Sequence, residues 1–328
     1  MEKVLRYECN PVLSAGDLPY ESSLVFNAGV CKYNGKYVMV FRNDVGFSPS
    51  GWDKTYTNLG LAFSDDGVKW TVSSEPWRMP ERIVASDPDF VRFYDPRLTV
   101  IDGECYICFA VDTRHGVRGG IARTEDFDGF EILSMTVPDN RNMVLFPERI
   151  GGRFFRLERP FPVYGRGGGE RFDIWSSSSP DCRCWGDSKL VLGVEDVPFA
   201  NSKIGPAAPP IRTKKGWLTT FHAVNITPER RLEGWEKTPW HKEYLAGLML
   251  LGLEDPAKVV GLYESPLLRA ERSYELNGFR GSVIFPGGMI AEDDGSVKIY
   301  YGAADTVECL AYASIDELLE LCHPIQSK

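Results

Sequence analysis

Several polar residues of this chain stand at the ends of apolar, strand-like runs. Asn27, Asp95, Arg141 and Lys203 open such runs, and Arg42, Asp112, Arg159, His222 and Asp305 close the runs that follow. A charge flanked by apolar residues costs free energy unless it is paired or used on a ligand. Arg141, Arg159, Lys203 and His222 together would make a compact site for phosphate or carboxylate. Asp95, with Asp112 or Asp305, supplies the carboxylic acid that cleavage of a glycosidic bond requires. Taken singly, each residue is as readily a structural ion pair or a turn cap, and it is their coincidence along the chain that points to a site. Most of the 8 Trp, 14 Tyr and 18 Phe are expected in the core, while Tyr94, Tyr244 and Phe285 lie near enough to the polar set to stack on a sugar ring.

The elements that must bring these residues together form a repeat. Five times the chain shows an apolar run, a turn containing Gly and a second run rich in β-branched and aromatic residues: 30–41, 98–109, 146–155, 211–221 and 289–301. Asn34-Gly35, Asp102-Gly103 and Gly151-Gly152 are hairpin turns because these residues tolerate positive φ. A further strand-like run follows each hairpin, as in Leu61 to Gly67 and Ile121 to Asp126. Five all-β units of this kind fit the blades of a radial propeller, which leaves few open edges. The expected fold is therefore all-β, a five-bladed β-propeller over 1–328 as a single domain, with one short helix at Ile315–Leu321. In a propeller the start of a blade's first strand and the end of its second lie at the same end, so the polar residues face one central funnel.

Composition removes other classes. The 328 residues are 43% hydrophobic and carry 37 Lys and Arg against 46 Asp and Glu, a net charge of −9 without a basic block. Nucleic acid and anionic lipid are not expected partners. No run of about 18 apolar residues is long enough to span a bilayer, and Met1 to Arg6 lacks an apolar leader core, so a cytoplasmic protein is expected. The eight cysteines are read as reduced thiols and no metal site is expected, because Cys105 and Cys108 alternate to opposite faces of a strand and no second pair accompanies Cys182 and Cys184. Gly165 to Gly169 lacks the context of a phosphate loop and is read as a flexible loop, and 227–243, with Trp235, Trp240 and His241, as a loop over the pocket mouth.

Val25-Phe26-Asn27, Val40-Phe41-Arg42, Tyr94-Asp95-Pro96-Arg97, Asn140-Arg141-Asn142, Arg159-Pro160, Lys203-Ile204-Gly205, His222 and Tyr300 to Thr306 make a set spread over nearly the whole chain. In these segments the chain resembles the mannoside phosphorylases of glycoside hydrolase family 130, which are five-bladed propellers. The resemblance implies inverting phosphorolysis of a β-mannoside, with inorganic phosphate as co-substrate, no metal or organic cofactor, and α-mannose 1-phosphate and a free acceptor sugar as products. It implies that Asp95 is the acid, acting through the mannosyl 3-hydroxyl, and that Arg141, Arg159, Lys203 and His222 bind phosphate and offset its charge. Asn27, Arg42 and Asp305, with Tyr94, Tyr244 and Phe285, then contact sugar. It leaves a homo-oligomer open. Two departures bear on specificity: a Gly-rich segment follows Arg159-Pro160 where many relatives carry a shorter loop with a histidine, and Ala28 stands where relatives often have Ser. Two competing readings are a β-mannosidase on the same scaffold and a non-catalytic carbohydrate-binding propeller.

Overall fold

A computed structural model describes residues 3–47, 55–77, 89–161, 171–227 and 241–324. A short strand, β1 (Leu5–Arg6), precedes the first blade, which is β2 (Leu24–Tyr33), β3 (Lys36–Val45), β4 (Tyr56–Ser64) and β5 (Thr71–Val72). Blade II holds β6 (Phe90–Ile101), β7 (Glu104–Thr113), β8 (Gly116–Thr124) and β9 (Glu131–Met135). Blade III holds β10 (Asn140–Leu145), β11 (Phe154–Pro160), β12 (Ile174–Ser179) and β13 (Gly186–Leu192). In blade IV, β14 (Lys203–Pro206) and β15 (Ile211–Arg212) both pair with β16 (Trp217–Ile226), followed by β17 (Lys242–Leu251) and β18 (Val259–Leu262). Blade V is β19 (Ile284–Ala291), β20 (Ser296–Ala303) and β21 (Val307–Ser314), and its outer strand is β1, with Leu5 opposite Tyr312 and Arg6 opposite Ala311. The five-bladed propeller expected from the repeat is the fold, and the start of the chain closes its last blade.

Local chemistry sets the hairpins. Asn34 and Gly35 have φ of 50° and 78°, and Asp102 and Gly103 of 53° and 82°, the left-handed pair that a two-residue hairpin turn requires. Apolar side chains then fill the gaps between blades, as where Val40, Leu61, Leu98, Ile107 and Phe109 join blades I and II. Cys105 and Cys108 fall into different clusters, as alternation dictates, and all eight cysteines are free thiols. Beside the helix at Ile315–Leu321 there is a second one, a single turn at Ser273–Leu276, where sequence reading had only one. Four residues show no amphipathic period. The turn is held instead by buried Glu275, whose carboxylate accepts the backbone N–H groups of Glu271 and Arg272 and the side chains of Arg6 and Tyr301.

A recurring irregularity positions the site. The first strand of a blade slips register at the funnel in β2 (Phe26 to Gly29), β6 (Tyr94 to Arg97), β10 (Arg141 to Val144) and β19 (Pro286 to Gly288). At three of these bulges the left-handed residue is Asn27 (φ 55°), Asp95 (φ 52°) or Asn142 (φ 57°). Asn and Asp accept this conformation more readily than other side chains, and a bulge re-aims the residue it carries.

Beneath the bulges lies Arg97, 3% exposed. Its guanidinium donates to the carbonyls of Ala207 (2.6 Å), Asn27 (3.1 Å), Pro96 (2.6 Å) and Pro286 (3.3 Å), so it ties blades I, II, IV and V together. Methionine at this position fills similar space but leaves all four carbonyls without that donor. Arg97→Met is expected to cost about 3–5 kcal/mol, read as a lower urea midpoint.

Candidate active site

The bulges open onto one cavity of about 390 Å³, within the range of small-ligand sites. Asn27, Arg42, Tyr94, Asp95, Arg141, Arg159, Lys203, His222, Tyr244, Phe285 and Asp305 all line it. Blades I, II and V contribute the carboxylates Asp95 and Asp305, with Arg42 and Arg92 beside them, whereas blades III and IV contribute Arg141, Arg159 and Lys203 and, among the described residues, no carboxylate.

On the acidic side the Asn27 amide donates to Asp95 Oδ1 at 3.0 Å, and Arg42 Nη1 lies 3.6 Å from the same oxygen. Arg42 is itself locked by two hydrogen bonds to buried Asp44, at 2.9 and 2.6 Å, and lies over the rings of Phe26 and Tyr94. Burial pulls the Arg42 guanidinium down, but Asp44, Asp95 and Asp305 outweigh it and hold the pKa above its ordinary value. Burial raises the Asp305 carboxyl, against Arg280 and Arg42, which lower it.

Tyr94 and Asp112 depart from their expected roles. The Tyr94 hydroxyl donates to Asp112 Oδ1 at 2.7 Å and accepts from Arg141 at 3.2 Å, while Arg42 and Arg92 both lie over its ring. At 3% exposure it spaces cations apart rather than offering an open stacking face. Asp112 is not part of the cavity lining. Arg92, its cross-strand partner, holds its other oxygen at 3.0 and 2.6 Å, so Asp112 anchors Tyr94 instead of serving as a second acid.

On the cationic side, Arg159 is buried and its Nη1 donates to His222 Nε2 at 3.0 Å, while His222 Nδ1 reaches the Pro206 carbonyl at 3.2 Å. These partners assign the neutral tautomer with the proton on Nδ1. Burial, reinforced by Arg159 and Lys203, pushes the imidazole well below its ordinary pKa. The expectation that His222 adds positive charge is thus corrected: it is an uncharged acceptor that orients Arg159. Gly205 makes room for this contact, since a Cβ there would stand 2.8 Å from His222 Nε2. Lys203 Nζ lies 5.3 Å from the centre of the Tyr244 ring, and burial together with Arg159, Lys242 and Arg141 pushes its ammonium down to about 6. Tyr244 and Phe285 pack beside His222, with ring centres 6.2 and 4.6 Å away.

Arg92, Phe47, Asn142, Phe279 and Arg280 also line the cavity and were not among the candidates. Arg92 shares a strand face with Tyr94, so alternation could have found it. Arg280, 3.4 Å from Asp305, lies in a loop without such a pattern. Gly165 to Gly169, Trp235 and Trp240 lie outside the described residues.

The family model for glycoside hydrolase family 130, described as beta-1,4-mannooligosaccharide phosphorylase, matches residues 6–324. A beta-1,4-mannooligosaccharide phosphorylase of Ruminococcus albus is 30% identical over 97% of this chain and 90% of its own. A beta-1,2-mannobiose phosphorylase of Listeria innocua is 27% identical over 96% and 97%. A solved structure of beta-1,2-mannobiose phosphorylase from Listeria innocua with beta-1,2-mannobiose aligns with a TM-score of 0.80 at 27% identity, covering 97% of this chain and 98% of that one.

Proposed function

Because the chain belongs to glycoside hydrolase family 130, we propose that it is an inverting β-mannoside phosphorylase, releasing α-mannose 1-phosphate and a free acceptor sugar. The observation that carries the reading is the division of one cavity into Asp95, held by Asn27 and Arg42, and a facing set of cations on blades III and IV. In the proposed reaction, phosphate on Arg141, Arg159 and Lys203 attacks the anomeric carbon from the face opposite the leaving oxygen. The bond from that carbon to the leaving oxygen breaks as the bond to phosphate forms, and the proton of Asp95 passes by way of the mannosyl 3-hydroxyl to the leaving oxygen. The anion replaces the water and base carboxylate of an inverting hydrolase. Asn27, Arg42 and Asp305 hold the mannosyl unit. Inorganic phosphate is then the co-substrate and no metal or organic cofactor takes part. A cytoplasmic setting, where thiols such as these eight stay reduced, is part of the same proposal.

The test is product analysis on a panel of β-1,2- and β-1,4-mannosyl disaccharides, with glucose, mannose or N-acetylglucosamine as the acceptor, with and without phosphate. Phosphate-dependent appearance of mannose 1-phosphate supports the reading and identifies linkage and acceptor together. Free mannose formed equally without phosphate overturns it in favour of a hydrolase, and sugar binding with no turnover in favour of a lectin.

Lys203 makes a second expectation. With its pKa near 6 it is largely neutral at pH 8, where inorganic phosphate is already a dianion. An anion placed beside it raises that pKa, so phosphate binding at pH 8 should take up close to one proton per site. Calorimetry in buffers of different ionisation enthalpy measures the uptake, and Lys203→Met should abolish it.

A further inference from the structure

Glu308, on β21, is wholly buried and lies outside the cavity lining, yet it reaches the site from below. Its Oε2 accepts the Ala28 N–H at 3.1 Å. That N–H belongs to the peptide unit that follows Asn27, in the bulge where β2 and β3 lose register, and a buried N–H outside the ladder is costly without a partner. In blade II the residue after the left-handed Asp95 is Pro96, which has no N–H to satisfy. Blade I has Ala28 there, and a carboxyl from the neighbouring blade takes its N–H instead. The carbonyl of the same peptide unit, Asn27 O, accepts from Arg97 at 3.1 Å, so the unit is held at both ends by buried side chains.

The mounting is rigid on the Glu308 side as well. Its backbone N–H donates to the Leu13 carbonyl at 2.9 Å, and its carbonyl accepts from Val12. Opposite it in the β20–β21 ladder is Gly302, where a Cβ would stand 2.4 Å from Asn27 Oδ1, so blade V passes close beneath the Asn27 side chain. The other carboxyl oxygen, Oε1, has no hydrogen-bond partner. Burial raises this carboxyl to about 8 against the opposing Ala28 N–H and Arg97, which are the groups that face it from β2 and β6, with the Cys309 thiol beside it on its own strand. At neutral pH it therefore holds the peptide as an uncharged acid.

We propose that Glu308 is a positioning residue for the acid: it clamps the Asn27–Ala28 peptide and through it the Asn27 amide that hydrogen bonds Asp95. The proposal rests on Asp95 being the acid of the reaction proposed above. It requires that loss of the clamp lower turnover while phosphate, bound on the opposite side of the cavity, is little affected.

The test compares the full-length wild type with Glu308→Gln and Glu308→Leu, by initial rates at varied sugar and varied phosphate, by urea unfolding, and by hydrogen exchange at the Ala28 amide. Glu308→Gln keeps a carbonyl acceptor and should hold kcat within about twofold at pH 7. Glu308→Leu should lower kcat about 10- to 50-fold with KM for phosphate unchanged, and expose the Ala28 amide to faster exchange. Wild-type kcat in Glu308→Leu, a loss in Glu308→Gln as large as that in Glu308→Leu, or a loss in Glu308→Leu that moves KM for phosphate equally would overturn the proposal. If the wild type itself makes no mannose 1-phosphate, the functional reading fails at that step, and the exchange rates still report whether Glu308 holds the peptide.

Discussion

Asp95→Asn is expected to lower kcat for phosphorolysis of a mannosyl disaccharide by about 10³- to 10⁴-fold while leaving KM for phosphate close to wild type. Asparagine matches the carboxyl in shape, and one of its two termini is an oxygen that can still accept from the Asn27 amide, which now lies 3.0 Å from Asp95 Oδ1. The bulge and the cavity should therefore survive, and what is lost is the proton. A mannoside whose leaving group is a nitrophenolate provides the control, because such a group departs without protonation and the loss should shrink to about tenfold or less. Equal losses on both substrates would mean that Asp95 acts by holding the sugar rather than by giving a proton, and an inactive wild type that still binds mannosides would move the protein to the lectin class.

The residues whose role depends only on local rules were legible in the sequence. Asn34-Gly35 and Asp102-Gly103 demand positive φ and so announce hairpins, and five such hairpins imply the radial fold. The polar residues that interrupt apolar runs at the funnel end were legible for the same reason, although Asn27 and Asp95 do not open their strands as expected: with Arg141 they stand at the bulges of β2, β6 and β10, and only Lys203 begins its strand, all four lining one cavity. What depends on distant partners was not. Leu5–Arg6 gives no periodic signal, and it becomes a strand only because β21, some three hundred residues later in the chain, offers an open edge.

The finer errors have the same origin. Whether Asp112 is an acid or an anchor turns on its register with Arg92, since the pairing brings a guanidinium onto one carboxylate oxygen. A histidine among cations looks like a fourth cation in sequence, but at His222 burial and the neighbouring charges favour the neutral ring. Glu308 was not singled out in the sequence, where it stands between Val307 and Cys309, and only the three-dimensional contact with Ala28 gives it a task.

Arg159→Ala should be the most damaging change on the phosphate side, with kcat/KM for phosphate falling about 10³-fold, or about 4 kcal/mol of transition-state stabilisation. Arg159 is 2% exposed and is held in place by His222 at Nη1, while its Nε has no protein partner. A buried guanidinium with an unused donor and a fixed orientation is prepared to grip an anion at little entropic cost, and the charge it supplies is worth more in a dry site than at a surface. Lysine should not rescue the loss, because a single ammonium cannot reproduce the fork that reaches both His222 and the anion. His222→Ala leaves the charge but frees the fork, so its effect should be smaller, about tenfold, and should appear mainly in KM for phosphate. Initial rates at varied phosphate, together with the reverse reaction from mannose 1-phosphate, measure both variants. If Arg159→Ala instead leaves KM for phosphate unchanged, the anion lies elsewhere in the cavity and the assignment of the cationic side is wrong. If the two variants lose equal activity, His222 touches the anion itself and does more than orient Arg159.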